Sequence, residues 1–350
     1  MKKHNYIIFL FLIFSFYACN DKKSNKQKSN IKNHEIEHSF KTVAVLKENL
    51  KQIGKIIAFD MIDSERFAIT TISGDVFIYD LEGNQINYFN NKGNGPSEYS
   101  EPTFIKYNLD KLYIWDSFSL SIDSYDLNGE AIETYGPFAS AIGDFAVSGN
   151  NLIFYIAGGK PDLVALYDLS EKEITKYLGT PSEEHYLLNL NKGAGGLAIT
   201  GNKLAYLSAD NLDFNLYDFD TAEAKTVIVD DSDFYNEEIT NAIAIINNNR
   251  PLAVQYLMRN SYVKGLYAVG QNFAVIAEVG TMQMEANKLN TDQRFEKIYF
   301  FDNNFKYIGE IKSSVNFDEK FFSSNGSDLY KIVFELEKEV YEIEKLKLNN

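Results

Sequence analysis

The chain has 350 residues, of which 45% are hydrophobic and 14% aromatic, so it can bury a large core. Lys and Arg number 34 against 49 Asp and Glu, a net charge of −15, and such an acidic protein repels nucleic-acid phosphates. Nucleic acid is therefore excluded as a partner. The single cysteine excludes an intrachain disulfide and a cysteine metal cluster.

The N-terminus carries two lysines followed by an apolar run, YIIFLFLIFSFY (6–17). A membrane-spanning helix needs about 20 apolar residues, so this run predicts a secretory signal over residues 1–18. Cys19 comes next, and FYAC (16–19) resembles a bacterial lipobox, in which lipid is attached to the cysteine sulfur. An ordinary signal peptide with an incidental cysteine is the alternative.

The lipobox resemblance implies a lipoprotein anchored through Cys19, and we expect it in the cell envelope, at the outer membrane, with the side it faces left open. Residues 19–38 are polar and predict a flexible tether. Cleavage before Cys19 removes two lysines and no acid, leaving 32 Lys and Arg against 49 Asp and Glu, a net charge of −17. Membrane contact would then come from the lipid alone.

A recurring phrase follows, in which an alternating strand ends in Tyr-Asp or Phe-Asp and a turn leads into a second strand. Its aspartates are Asp80, Asp126, Asp168, Asp218 and Asp302. The first three intervals, of 46, 42 and 50 residues, match the length of a four-stranded propeller blade. Each phrase is preceded by a pair of more apolar strands, such as 143–158, which gives five complete units.

Strands are left over at both ends of the chain, SFKTVAVLKE (39–48) and a C-terminal piece (327–348). Combining them in one further blade closes the ring and leaves no open sheet edge. We therefore predict an all-β fold over residues 39–350: a six-bladed β-propeller of four-stranded blades, closed by pairing of the N-terminal strand with C-terminal strands. A five-bladed ring or a pair of β-sandwiches is the alternative.

The fourth interval is longer, and the surplus at 231–262 predicts an insertion on one face of the ring. Asp233 resembles an N-cap residue before a short apolar helix, and Pro251 would prevent that helix from extending. Arg250, Tyr256 and Arg259 lie in this insertion. They are candidate ligand-binding residues for an anionic or glycan ligand, but surface statistics favour the alternative that the arginines simply pair with the surplus acids.

The stretch NKGNGPSEYSEP (91–102) predicts a sharp corner between blades, because partial echoes, YGPFAS and GTPSEE, recur at the blade spacing. It lacks the Gly-Lys-Ser/Thr ending of a phosphate loop, and GAGGLA (193–198) leads into a strand rather than a helix. NKGNGPSEY resembles the Gly-x-Gly-Pro-Gly-Glu-Tyr/Phe signature of TolB-like six-bladed propeller lipoproteins of Bacteroidota. The matching residues are Gly93, Gly95, Pro96, Glu98 and Tyr99, while Ser97 stands where glycine is usual.

Two metal hypotheses remain. The segment 34–38 reads His-Glu-Ile-Glu-His, the zincin pattern, but it joins a polar tether to a strand instead of lying on a buried helix. Six-bladed lactonases and related hydrolases hold calcium or another divalent ion in the central channel with oxygen ligands, and Asp60, Asn108 and Asp144 lie on or near predicted innermost strands. These three are candidate ligand-binding residues.

No constellation of nucleophile, base and orienting residue is visible in the sequence. We therefore expect a monomeric, non-catalytic propeller without a cofactor that binds an envelope protein or a glycan. A metal-dependent hydrolase or lyase acting in the central channel, with a divalent cation such as calcium, is the alternative. The propeller fold itself hosts many functions and does not decide between them.

Overall fold

The computed structural model describes residues 27–30, 35–48, 50–157, 161–189, 195–231, 234, 236–279, 283–285, 288–290, 295–314 and 320–348. Cys19 with the predicted signal segment, His34 and Asp233 lie outside the described residues. None of the helices in these ranges is long and apolar enough to cross a membrane.

Six four-stranded antiparallel blades make up the fold, and in each the innermost strand is followed outward by its neighbours in the sheet. Blade 1 contains β3 (Ile56–Met61), β4 (Arg66–Thr71), β5 (Val76–Asp80) and β6 (Gln85–Phe89). Blade 2 contains β7 (Pro102–Asn108), β8 (Lys111–Asp116), β9 (Ser121–Tyr125) and β10 (Ala131–Tyr135). Blade 3 contains β11 (Ile142–Ser148), β12 (Asn151–Ile156), β13 (Val164–Asp168) and β14 (Glu173–Leu178).

The second half of the ring repeats this order. Blade 4 contains β15 (Gly196–Thr200), β16 (Lys203–Leu207), β17 (Phe214–Asp218) and β18 (Ala224–Asp230). Blade 5 contains β19 (Tyr262–Val269), β20 (Asn272–Val279), β23 (Phe295–Phe301) and β24 (Tyr307–Ser314), with a small hairpin of β21 (Gln283–Glu285) and β22 (Lys288–Asn290) inserted. Blade 6 contains β25 (Lys320–Ser324), β26 (Leu329–Glu335), β27 (Val340–Leu348) and β2 (His38–Val45).

Ring closure follows the prediction. The N-terminal strand β2 pairs antiparallel with the C-terminal strand β27 and so becomes the outermost strand of blade 6. The register places His38 opposite Leu348 and Val45 opposite Glu342. Joining the two ends of the chain in one sheet leaves the ring no open seam at the last blade.

The recurring aspartates end the third strand of their blades or directly follow it, and they hold the turn that comes next. Each side chain accepts hydrogen bonds from backbone N–H groups two and three or four residues further on, at 2.8–3.0 Å, which is the geometry of an Asx turn. The aspartates are Asp80, Asp126, Asp168, Asp218 and Asp302. The repeat is therefore a hairpin device, which explains why it recurs at the blade spacing.

Part of the segment 19–38, expected to be a flexible tether, contacts the ring. Strand β1 (Gln27–Asn30) pairs in parallel with β18 as a fifth strand of blade 4. Further on, the backbone N–H of Ile36 donates to the carbonyl of Glu310 in blade 5 at 2.8 Å. The chain thus crosses the outer edges of blades 4 and 5 before it enters blade 6.

Besides α1 (Leu50–Ile53), three helices lie in connections that lead into innermost strands: α2 (Glu183–Leu188), α3 (Ala242–Asn248) and α4 (Arg250–Arg259). The last three pack around a shared apolar cluster and form what we call the helical cap. α3 ends at Asn248, before Pro251, as expected, but Pro251 itself lies in the first turn of a second helix, α4, where its missing N–H costs nothing and Asn249 is the N-cap. The insertion is therefore two short helices rather than one.

Candidate binding site in the central channel

The six innermost strands surround a channel that contains two cavities. The upper cavity, of about 240 Å³, is lined mainly by the first halves of these strands and lies on the side of the helical cap. Tyr262 connects the upper cavity to the helical cap, since it lines this cavity and also belongs to the apolar cluster of the helices. The lower cavity, of about 200 Å³, is lined by the second halves of the strands.

Lys106, Asp144 and Tyr267 line both cavities, and we call this junction the waist. The Nζ of Lys106 lies 3.3 Å from Oδ1 of Asp144, and these two side chains are 25% and 26% exposed, facing the channel. The hydroxyl of Tyr267 makes no hydrogen bond with the residues that the structure describes. The waist therefore offers a donor, an acceptor and a group that can do either.

Asp60 lies beside the waist but is itself covered. Its two carboxylate oxygens accept hydrogen bonds from the hydroxyl of Ser323 at 2.7 Å and from the backbone N–H of Tyr107 at 2.8 Å. Burial raises the pKa of Asp60, against the opposing effects of Lys106 and of these two hydrogen bonds. Each oxygen already accepts a hydrogen bond from one protein donor, which holds Asp60 in place beside the waist, at the wall of the lower cavity.

The charge of Lys106 is held in place by its neighbours. Burial alone would lower the pKa of this ammonium group, but Asp144 and then Asp60 outweigh burial and hold the pKa above its usual value. β7 contacts β3 on one side and β11 on the other, so one positive charge stands between two carboxylates on successive strands. Burial also raises the pKa of Tyr267, so its phenol stays protonated.

Aromatic rings form much of the wall of the upper cavity. Phe104, Phe322 and Tyr262 line it together with Tyr267, whose ring lies 6.2 Å from that of Phe322. Tyr262 presents its ring and uses its hydroxyl to donate to Glu278 at 2.5 Å. Lys264, also in the wall, pairs with Glu296 at 3.0 Å. The cavity thus combines apolar faces with a few polar groups, which is typical of small-molecule sites.

The structure brings only two of the predicted ligand-binding residues to the channel, Asp60 and Asp144. Asn108 ends β7 and lines neither cavity, and its side-chain nitrogen is buried without a hydrogen-bond partner in the part of the chain that the structure describes. Lys106 and Tyr267 were missed, because only acidic side chains stand out in the sequence as metal ligands. Aligning the innermost strands at the bulge they share would have placed Lys106 level with Asp60 and Tyr267, with Asp144 two residues earlier in its strand.

The three candidates of the insertion lie in α4 of the helical cap. Tyr256 is 4% exposed, and its hydroxyl donates to the carbonyl of Glu237 at 2.6 Å, so it packs the cap. Arg259 pairs with the Glu237 carboxylate at 3.0 Å, in keeping with the alternative of pairing with surplus acids. Arg250 is exposed. The structure therefore separates these residues from Asp60 and Asp144.

The stretch 91–102 runs from β6 to β7, between blades 1 and 2. The Glu98 carboxylate accepts the N–H of Gly95 at 2.7 Å and lies so close to Gly93 that a Cβ there would stand 1.9 Å from Oε2. Pro96 is exposed at the tip, whereas Tyr99 is fully buried and donates to the carbonyl of Gly74 at 2.8 Å. The corner therefore needs Gly93 and Gly95 because neither has a side chain that would collide with the Glu98 carboxylate.

His185, which was also overlooked, is 1% exposed beneath the helical cap. Its Nδ1 accepts the backbone N–H of Ala209 at 3.1 Å and lies 3.1 Å from the hydroxyl of Ser208, which donates to Asp210. Burial lowers the pKa of His185 to about 4, partly offset by Asp210. Since Nδ1 is occupied by a backbone donor, this serine, histidine and aspartate do not form a hydrolytic triad.

Within the described ranges, no group of three or more His, Cys, Asp or Glu side chains is placed to hold a metal ion. Glu35 of the zincin-like pentapeptide forms a strand-type bridge to Glu310, so that part of the pattern is extended rather than helical. At the waist, the Lys106 ammonium is the cation between Asp60 and Asp144. A divalent ion there would have to displace it.

The fold and its channel define a six-bladed β-propeller protein. A family described as a 6-bladed beta-propeller, DUF5128, matches residues 20–162, which is less than half of the chain. No curated protein matches the sequence.

Among solved structures, a member of the duf4221 family from Bacteroides vulgatus is 13% identical, with a TM-score of 0.64 over 91% of this chain and 100% of that one. A putative exported protein from Bacteroides fragilis is 13% identical, with a TM-score of 0.57 over 93% and 99% of the two chains. The structure of U3-55K is 10% identical, with a TM-score of 0.51 over 87% and 98%. At such identities these likenesses establish the fold alone.

Proposed function

We propose that this protein is a lipid-anchored, non-catalytic binding module of the cell envelope, at the outer membrane, that takes part of an envelope protein or a glycan into the upper cavity. The observation that carries the proposal is the waist, where Lys106, Asp144 and the hydroxyl of Tyr267, which has no hydrogen-bond partner among the described residues, meet beneath aromatic walls. Polar groups aimed into a concave, largely apolar space orient a ligand. The protein would act as a monomer.

Two observations favour binding over catalysis. In the waist, the basic and acidic groups neutralise each other, and neither is poised to attack a substrate. Beneath the cap, the one buried histidine among the described residues already accepts a backbone hydrogen bond. A binding module needs neither a nucleophile nor a base, and propellers often present one face of the ring to partners.

The anchor rests on Cys19 and the lipobox-like FYAC that ends in it. Mass spectrometry of the mature protein should show an N-terminal, acylated Cys19 and its recovery with the membrane fraction. Cys19→Ala should abolish both and release the protein. An unmodified thiol, or cleavage at another position, would contradict the anchor without bearing on the channel.

Binding is tested by blocking one cavity at a time. Gly143 lines the upper cavity, and a Cβ there would meet Tyr155 at 3.4 Å, an ordinary contact, so Gly143→Leu narrows this cavity. Ala146→Leu narrows the lower cavity and serves as the matched control. In a thermal-shift screen of envelope peptides and saccharides, hits should vanish with Gly143→Leu and persist with Ala146→Leu. Hits insensitive to Gly143→Leu, or no hit, would contradict the proposal.

A further inference from the structure

The chemistry of the upper cavity narrows the class of ligand, on the premise that the cavity is the binding site just proposed. Its volume of about 240 Å³ is below the usual range of about 300–1,000 Å³ for small-molecule pockets, which suits one ring-sized group rather than an extended chain. Its position beside the helical cap leaves the rest of a larger ligand outside the ring. The cavity thus fits the end of a longer molecule.

The charges at the waist disfavour a charged ligand of either sign. An anion would lie beside Asp144, with Asp60 close behind it, and would compete with both for Lys106. A cation would lie beside the Lys106 ammonium, whose charge Asp144 and Asp60 stabilise. The second lysine in the wall, Lys264, is paired with Glu296 at 3.0 Å. A neutral ligand keeps all these pairs intact.

The polar groups suit a ligand that both donates and accepts hydrogen bonds. Lys106 can donate, the Asp144 carboxylate can accept, and the Tyr267 hydroxyl can do both. Neighbouring alcohol groups match this set, because each hydroxyl is one donor and an acceptor. The rings of Phe104 and Phe322 offer apolar faces for the C–H groups of the same ligand.

We propose that the upper cavity binds an uncharged, hydroxyl-rich ring, such as the terminal sugar of a glycan, with its hydroxyls on Lys106, Asp144 and Tyr267. The ring stands against the aromatic wall, and the remainder of the glycan leaves past the helical cap. The Lys106–Asp144 pair acts as a filter, since it hydrogen-bonds alcohols and rejects a net charge.

The test uses sugars that share one ring and differ in charge: glucose and N-acetylglucosamine (neutral), glucuronate (anionic) and glucosamine (cationic). Titration calorimetry of the full mature protein should detect a neutral sugar at 10 mM or below and at least 10-fold weaker binding of both charged sugars. Tyr267→Phe should weaken the neutral sugar about 3- to 10-fold, the effect of one hydrogen bond. Gly143→Leu should abolish binding.

Lys106→Met is the most informative variant, because it should change which charge the ligand may carry. It leaves two carboxylates without their cation, so glucosamine should gain affinity and the neutral sugar should lose it. Circular dichroism and the melting temperature check that the variant is folded; if it is not, Asp144→Asn, with the opposite expected preference for glucuronate, replaces it. Stronger binding of a charged sugar to the native protein, or no neutral sugar bound, overturns the proposal.

The proposed ligand class and the proposed binding function can be contradicted separately. If only charged members bind, and Gly143→Leu abolishes that binding, the upper cavity is a binding site for another class of ligand. If neither these sugars nor the wider screen gives a hit that depends on Gly143, both proposals fail.

Discussion

The hydroxyl of Tyr125 donates to the backbone carbonyl of Ser97 at 2.7 Å. Tyr125 is a fully buried residue at the end of the third strand of blade 2, and Ser97 lies in the corner that precedes that blade, with φ of +59°. This hydrogen bond therefore attaches Ser97, whose backbone has the left-handed conformation, to the buried core. It also explains why the corner keeps its shape although Ser97 replaces the usual glycine of the resembled signature.

Ser97→Gly should stabilise the protein. A left-handed φ costs an L-residue about 1–2 kcal/mol, and glycine removes that cost while adding some entropy to the unfolded chain. Removing the serine hydroxyl breaks a long hydrogen bond, 3.4 Å to the hydroxyl of Thr134. The midpoint of urea unfolding should rise, whereas Ser327→Gly, at an exposed position without a left-handed φ, should not raise it. A lower midpoint for Ser97→Gly would contradict this account.

Gly93→Ala should destabilise the corner, because its Cβ would stand 1.9 Å from Oε2 of Glu98. The carboxylate would have to leave, and the N–H of Gly95 would lose its partner. Combining Gly93→Ala with Glu98→Ala removes the clash. The double variant should therefore be less destabilised than the two single effects predict when added, and simple additivity in a double-mutant cycle would count against the steric explanation.

The stability of the protein should fall with acid through His185. Its pKa is lowered from 6.5 to about 4, so between these values the unfolded state binds a proton that the folded state does not. Stability is thus complete above about pH 6.5 and decreases as the pH falls, by about 3 kcal/mol at pH 4. The free energy of unfolding, measured against pH, should lose this slope in His185→Gln. An unchanged slope in His185→Gln would mean that another group causes the pH dependence.

A buried ion network that joins blade 5 to the segment after blade 4 should contribute far more to stability than an exposed pair. The Lys297 ammonium lies 3.1 Å from Glu310 and 3.5 Å from Asp231, with all three side chains less than a tenth exposed. Lys297→Met leaves carboxylates buried without compensation, which costs about 3–5 kcal/mol. Lys172→Met, which breaks an exposed pair with Glu133, should change unfolding little. If both variants lost a similar free energy of unfolding, burial would not be the reason why the Lys297 network stabilises the protein.

Calcium should leave the melting temperature unchanged. In the described part of the channel, the cation between Asp60 and Asp144 is the Lys106 ammonium, so a divalent ion gains no open position there. Thermal unfolding with calcium and after dialysis against a chelator should coincide. A rise with calcium that Asp144→Ala abolishes would instead support the metal hypothesis.

The fold could be predicted because its signals are local and repeated. Each hairpin aspartate accepts from its own turn, so its spacing reports the blade directly, and the leftover strands could only pair with each other. The second helix of the insertion was harder to predict, since a proline that ends one helix can also lie in the first turn of the next, as Pro251 does in α4.

The site could be predicted only in part, because its residues are brought together by the ring. Lys106 and Tyr267 are 161 positions apart, and nothing near either in sequence distinguishes them from the alternating residues of other strands. Asp60 and Asp144 were found because acidic residues on innermost strands stand out. The lysine that neutralises them becomes meaningful only when blades 1, 2 and 3 are adjacent.

The closure of blade 6 also makes the starting point of the chain arbitrary. His38 and Leu348 are partners across β2 and β27, close enough for a short linker to join them. New ends could then be opened at the turn around Gly149, where a Cβ would meet no other atom within 4 Å. In such a circular permutant, a covalent link would join β27 to β2 in blade 6, where the two strands are now held together only by their pairing. The new chain ends would lie in blade 3.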